Sequence, residues 1–105
     1  MPQRVDAVFS ALADPTRRRV LESLSRGEAA TASGLAAELP ISRQAVAKHL
    51  STLRSAELVS RERVGRETVY SLRREPLDDA SRWIESVGAE WDRRLDALRR
   101  SLESG

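Results

Sequence analysis

A mainly α-helical domain with one small β-hairpin is what this 105-residue chain predicts, on three observations. Apolar residues recur at helical steps of three and four along most of the chain, and switch to a period of two only after Ala56. Residues 40–53 read as a tight turn and a helix with one apolar and one basic-polar face. The C-terminal stretch is one long amphipathic run from about Leu77 to Leu102. About five helices and a two-stranded hairpin follow, in a single domain spanning residues 1–105.

The helices are read in order. Val5, Val8, Phe9 and Leu12 mark a first amphipathic helix that ends before Asp14. Asp14-Pro15 restarts the chain, with Asp as N-cap and Pro at the first helical position. This second helix buries Val20, Leu21 and Leu24 and stops near Arg26-Gly27. Thr31 or Ser33 caps a short third helix with Leu35, Ala36 and Leu39 inward; Pro40 stops it and Ile41 plugs the turn. Ser42 then stands at the N-cap of a fourth helix whose buried stripe is Val46, Leu50 and Leu53, with Ala47 beside it.

Two short helices joined by so tight a turn form a helix-turn-helix, whose second helix enters the DNA major groove. The polar face carries Arg43, Gln44, Lys48, Ser51 and Thr52 rather than an acidic mixture. Arg bonds guanine O6 and N7 bidentately and Gln does the same to adenine, and both sit at the end that such a helix aims at base edges. The one histidine, His49, lies next to Lys48 and before the buried Leu50. It is read as a phosphate contact or a stabiliser of the turn, and imidazole titration near neutral pH makes pH-dependent binding an expectation.

Beyond Leu58-Val59, residues 60–64 and 67–72 form a hairpin with Gly65-Arg66 at its bend, Tyr70 and Leu72 sharing a face. Directly behind a helix-turn-helix it is a wing, and Arg61, Arg63 and Arg66 make it cationic, with Arg66 placed to enter a narrow minor groove. The last helix repeats apolar residues at Leu77, Ala80, Ile84, Val87, Trp91, Leu95, Leu98 and Leu102, with Trp83 widening the stripe. That seam is longer than the core of so small a domain requires. It is expected to pack on the first helix and also to pair with its counterpart in a symmetric dimer. The expected interface comprises Val5, Val8, Phe9, Leu12, Ile84, Val87, Trp91, Leu95 and Leu98, carried by dimerisation helices at 1–13 and 76–104.

Composition excludes several classes. Residues 1–74 hold 13 Arg/Lys against 8 Asp/Glu, whereas residues 75–105 hold 5 against 8, so the basic part contains the helix-turn-helix. There is no cysteine, hence no disulfide and no thiolate chemistry. No run of about 18 apolar residues spans a membrane, and the opening Met-Pro-Gln-Arg-Val-Asp lacks the apolar segment of a signal peptide, so a cytoplasmic location is expected. One His, no Gly-rich phosphate loop and no paired carboxylates leave an enzyme without machinery, and no cofactor is expected.

The segment Ala-Leu-Ala-Asp-Pro-Thr-Arg-Arg-Arg-Val-Leu at 11–21, the helix at 41–53 and Gly-Arg-Glu at 65–67 together resemble the ArsR/SmtB family of dimeric bacterial repressors, over about residues 5–76. The resemblance implies a winged helix-turn-helix homodimer joined through its first and last helices, and a roughly palindromic double-stranded DNA operator, often autoregulatory. By motif position it places Ser42, Arg43, Gln44, Ala45, Lys48 and His49 on the DNA-facing helix and Arg66 on the wing; Thr52 and Arg63 extend the same surface. Metal-sensing members use a cysteine pair on the helix-turn-helix, or Asp, His and Glu ligands across the C-terminal helices. This chain has no Cys, its only His is in the recognition helix, and Glu90, Asp92 and Asp96 lack an imidazole to complete a zinc site. No metal switch is expected. The alternatives that stay open are a winged-helix module that binds protein, and a regulator gated by a small apolar ligand near Phe9, Trp83 and Trp91 at the dimer interface.

Overall fold

The computed structural model describes residues 3–27 and 29–104. The elements run α1 (Gln3–Leu12), α2 (Pro15–Arg26), α3 (Ala32–Glu38), α4 (Arg43–Ser55), β1 (Val59–Val64), β2 (Glu67–Leu72) and α5 (Glu75–Ser104). Met1, Pro2 and Gly105, at the ends of the expected domain, lie outside the described residues.

α2, α3 and α4 each start where a short polar side chain satisfies orphan N–H groups of the first turn. The Asp14 carboxylate accepts from the N–H of Thr16 (2.7 Å) and of Arg17 (3.2 Å). The Arg17 N–H bond, followed by the Thr16 N–H, the Arg17 guanidinium and His49, holds this carboxyl below its ordinary range against partial burial. Thr31, not Ser33, caps α3 by accepting from the Gly34 N–H at 3.0 Å. The Ser42 Oγ accepts from the Ala45 N–H at 3.1 Å.

Two helix ends are closed without a glycine. No basic residue lies in the last turn of α1, and its final carbonyls accept instead from α2: Arg17 Nε donates to the Ala11 oxygen at 2.7 Å and Arg18 to that of Leu12. At the end of α4, Glu57 adopts φ 61°, the left-handed conformation usually taken by Gly. The Leu58 N–H then donates to the Leu53 carbonyl (2.9 Å) and the Glu57 N–H to that of Arg54 (2.9 Å). Leu53 and Leu58 are both fully buried, which supplies the apolar contact of this Schellman-type ending.

The core joins α1 (Val5, Val8, Ala11), α2 (Val20, Leu21, Leu24), Leu35 of α3 and the α4 stripe Val46, Leu50 and Leu53 to Leu58, Val59 and Ala80. Val5 and Val8 therefore correct the expected interface. At 3% and 0% exposure they are spent inside the protomer, because α1 turns that face onto its own core and leaves no surface for a second chain. Phe9 and Leu12 are half-buried, and the Phe9 ring meets Trp83 edge-to-face at 5.5 Å.

β1 and β2 pair antiparallel from Val59↔Leu72 to Val64↔Glu67, leaving Gly65-Arg66 as a two-residue loop. Gly65 has φ +62° and Arg66 does not have positive φ, the sign pattern of a type II′ turn. A third pairing is absent from the sequence pattern: Ala30 and Tyr70 exchange both backbone bonds, at 3.0 and 2.8 Å, tying the wing to the segment that leads into α3. α5 begins in the body, with Pro76 and Ala80 buried, but every residue from Ser81 to Ser104 is exposed. A helix of 30 residues is ~45 Å long, which accounts for a molecule extending 70 Å in one direction and 25 Å or less in the others.

Candidate nucleic-acid interface

The turn between α3 and α4 is closed by the Ile41 N–H donating to the Leu39 carbonyl at 2.7 Å, with Ile41 half-buried against the core. It fixes where α4 begins, and the fully buried Val46, Leu50 and Leu53 fix how α4 is rotated. At 100° per residue that rotation sends Arg43, Gln44, Lys48, Ser51 and Thr52 to solvent on one face, as expected. Ala47 is a correction: it lies on this exposed face between Arg43 and Ser51, not beside the buried stripe. Ala45 is half-buried on the flank.

His49 is half-buried as well, at the edge of the polar face rather than in its middle. Thr52 Oγ1 donates to the Lys48 carbonyl at 3.3 Å, so its hydroxyl faces solvent as an acceptor.

The wing folds back toward α4. A groove of about 460 Å³ lies between them, and Arg43, Arg63 and Arg66 all border it. Ala47 forms part of its floor, and Thr31, Ser33, Thr68 and Tyr70 add hydroxyl groups. The sequence takes Thr31 or Ser33 as a cap and sets Tyr70 on a face with Leu72, but does not mark any of the last four as a groove residue. Thr68 and Tyr70 had a usable signal, since the hairpin register sets them opposite Arg63 and Arg61 on the same side of the pleat. Thr31 and Ser33 had none, because only the packing of α3 beside the wing brings them there. Arg63 Nε donates to the Gly65 carbonyl at 3.2 Å, which holds its side chain along the hairpin tip.

Charge is distributed unevenly. Arg4, Arg17, Arg26, Arg73, Arg74, Arg82, Arg93, Arg94 and Arg99 each pair with a carboxylate. Arg18, Arg19, Arg54 and Arg100 form no ion pair with any described residue, and neither do Arg43, Lys48, Arg61, Arg63 and Arg66. Their charge is left to an external anion, and a cationic surface of this kind raises the local concentration of a polyanion. Among the described residues, no three His, Cys, Asp or Glu side chains gather as metal ligands. Among them, too, no helix is long and apolar enough to cross a membrane.

A helix-turn-helix with an exposed, uncompensated basic face, backed by a cationic hairpin, defines a winged-helix DNA-binding regulator. A family model described as a helix-turn-helix domain matches residues 12–62. The transcriptional repressor SdpR of Bacillus subtilis is 39% identical over 77 residues, which cover 73% of this chain and 84% of that protein. An ArsR-like transcriptional regulator from Rhodococcus sp. RHA1 superimposes with a TM-score of 0.83 at 45% identity, over 92% of this chain and 91% of that one. The homodimeric winged helix-turn-helix DNA-binding domain Mb0332 from Mycobacterium bovis reaches a TM-score of 0.63 at 25% identity, over 88% and 82%. The chain belongs to the ArsR/SmtB family of winged helix-turn-helix transcriptional repressors, and it is a DNA-binding transcriptional regulator. The relatives it matches are named as regulators of transcription, not as enzymes.

Proposed function

We propose that this regulator works as a homodimer that represses by occupying a roughly palindromic operator. The observation that carries the proposal is the convergence of the unpaired cations Arg43, Arg63 and Arg66 on one groove between α4 and the wing. In this reading α4 enters the major groove with Arg43 and Gln44 reading base edges, each good bidentate contact contributing roughly 1–3 kcal/mol of discrimination. Ser42, Ala45, Lys48 and Thr52 line the same approach, with the half-buried His49 at its edge. Arg63 and Arg66 take the backbone and the adjacent minor groove.

The dimer is supported by the exposed apolar strip of α5 beyond Trp83, comprising Ile84, Val87, Trp91, Leu95, Leu98 and Leu102. So large an apolar strip on a small protein marks an association surface. The homodimeric relative from M. bovis shares the fold. A two-fold axis relating two α4 helices calls for half-sites one DNA turn, about 34 Å, or a multiple of it apart. Phosphate contacts by Arg and Lys supply most of the affinity and make it fall steeply with salt. Selection of bound fragments from genomic DNA by the purified protein tests this. A recurring inverted repeat is the expected product; enrichment of no sequence, at any salt concentration, would overturn it.

A further inference from the structure

Within α5, Ile84, Val87, Trp91, Leu95 and Leu98 are all exposed and spaced three, four, four and three residues apart. The order therefore reads identically in both directions about Trp91. In an antiparallel pair of identical helices, the two-fold axis sets residues equally distant from it opposite one another. An axis at Trp91 faces Ile84 with the partner's Leu98 and Val87 with the partner's Leu95. Moving the axis to the Val87-Gly88 bond or to Arg93 still pairs Ile84 or Leu95 with Trp91, but sets Val87 opposite Gly88 or Arg99, so only an axis at Trp91 gives every one of the five an apolar partner.

Gly88 supplies a separate observation. Mid-helix glycine weakens a helix relative to alanine. Here a Cβ at Gly88 would meet nothing within 4 Å, so the protomer itself gives no reason for the residue. Gly88 stands on the seam face, one turn before Trp91. Two indoles meeting on an axis need space, and a missing side chain one turn away provides it.

We infer that the second copy pairs antiparallel along α5 with the two-fold axis at Trp91, each Gly88 making room for the partner's indole. The inference rests on the homodimer proposed above and names its register. Helices packed about 8–10 Å apart, with Cα atoms ~2.3 Å from each axis, bring facing Cα atoms to about 3.4–5.4 Å. That is within reach of a disulfide, and the chain has no cysteine of its own to confuse the result.

Under mild oxidation, full-length Trp91→Cys is expected to form an intermolecular disulfide, while Arg93→Cys, on the opposite face of α5, is not. Loss of the indole can itself loosen the pair, so Val87→Cys chains mixed with Leu95→Cys chains give a second reading, in which the mixed disulfide dominates. Gly88→Leu is expected to raise the dimer dissociation constant at least tenfold in sedimentation, with helix content by circular dichroism retained. Cross-linking at Ile84→Cys or Gly88→Cys in place of these positions, or a tighter dimer from Gly88→Leu, overturns the register while leaving the dimer. A wild-type chain that sediments as a monomer at every concentration overturns the dimer itself.

Discussion

The body up to Ala80 and the rest of α5 spend their apolar residues in opposite ways. In the body, Val8, Val20, Val46, Leu50, Leu53 and Leu58 are all 0% exposed, covered by residues of the same chain. On α5, Trp91 is 59% exposed and Leu102 74%. The two regions carry equally regular amphipathic patterns, so periodicity alone does not tell which will be covered. The decisive factor is reach. α1 is ten residues long and meets α5 at Trp83, and every described residue of α5 from Ser81 on is exposed. Stability of the body is therefore a property of one chain, whereas the far part of α5 depends on association.

The largest effect expected from this contrast comes from the body. Leu50→Ala removes a fully buried side chain at the centre of α4 and is expected to destabilise the protein by about 2–5 kcal/mol in urea unfolding, independently of protein concentration. On α5, Leu95→Arg should leave the helical signal of the body in place but raise the dimer dissociation constant ~30-fold or more. If it unfolds the monomer instead, the division between the two regions is wrong.

Effects on DNA are next in size, and they should distinguish α4 from the wing. Arg43→Ala is expected to flatten preference among operator variants by roughly 1–3 kcal/mol. Arg66→Ala should weaken binding to all sequences and reduce the salt slope by about one. Gel-shift titrations across salt concentrations separate the two, and unchanged titrations for both would sink the placement of these residues.

Glu57→Gly is expected to stabilise the body by up to ~1 kcal/mol, since Gly adopts the left-handed conformation at less cost than Glu; thermal unfolding reads it. The smallest effect concerns Asp14. Its carboxyl is held below the ordinary range, so the cap is strongest above that range and is lost as pH falls through the lowered value. Asp14→Asn keeps an acceptor for the cap and should flatten the acid limb of stability against pH; an unaltered limb would assign that loss to other carboxylates.

What could be read from the sequence was what is local. Asp14-Pro15 and Ser42 declare their helix starts because a cap bonds N–H groups two or three residues away. The hairpin declares itself because strand period and the Gly65-Arg66 bend are written within fourteen residues. The glycine-free ending at Glu57 and the use of Arg17 and Arg18 to close α1 were hidden, because neither uses the residue type that normally marks a helix end.

The sequence by itself determined the element order, the buried stripe of α4 and the basic character of its opposite face, since backbone periodicity turns spacing into direction. Only the tertiary structure decided which chain covers which apolar residue. It sent Val5 and Val8 into the protomer and Ala47 to the surface, and it brought Thr31, Ser33, Thr68 and Tyr70 around one groove with Arg43 and Arg63. The physical reason is that hydrophobic burial has no direction of its own. An apolar stripe states that it must be covered, and the packing of distant segments states by what.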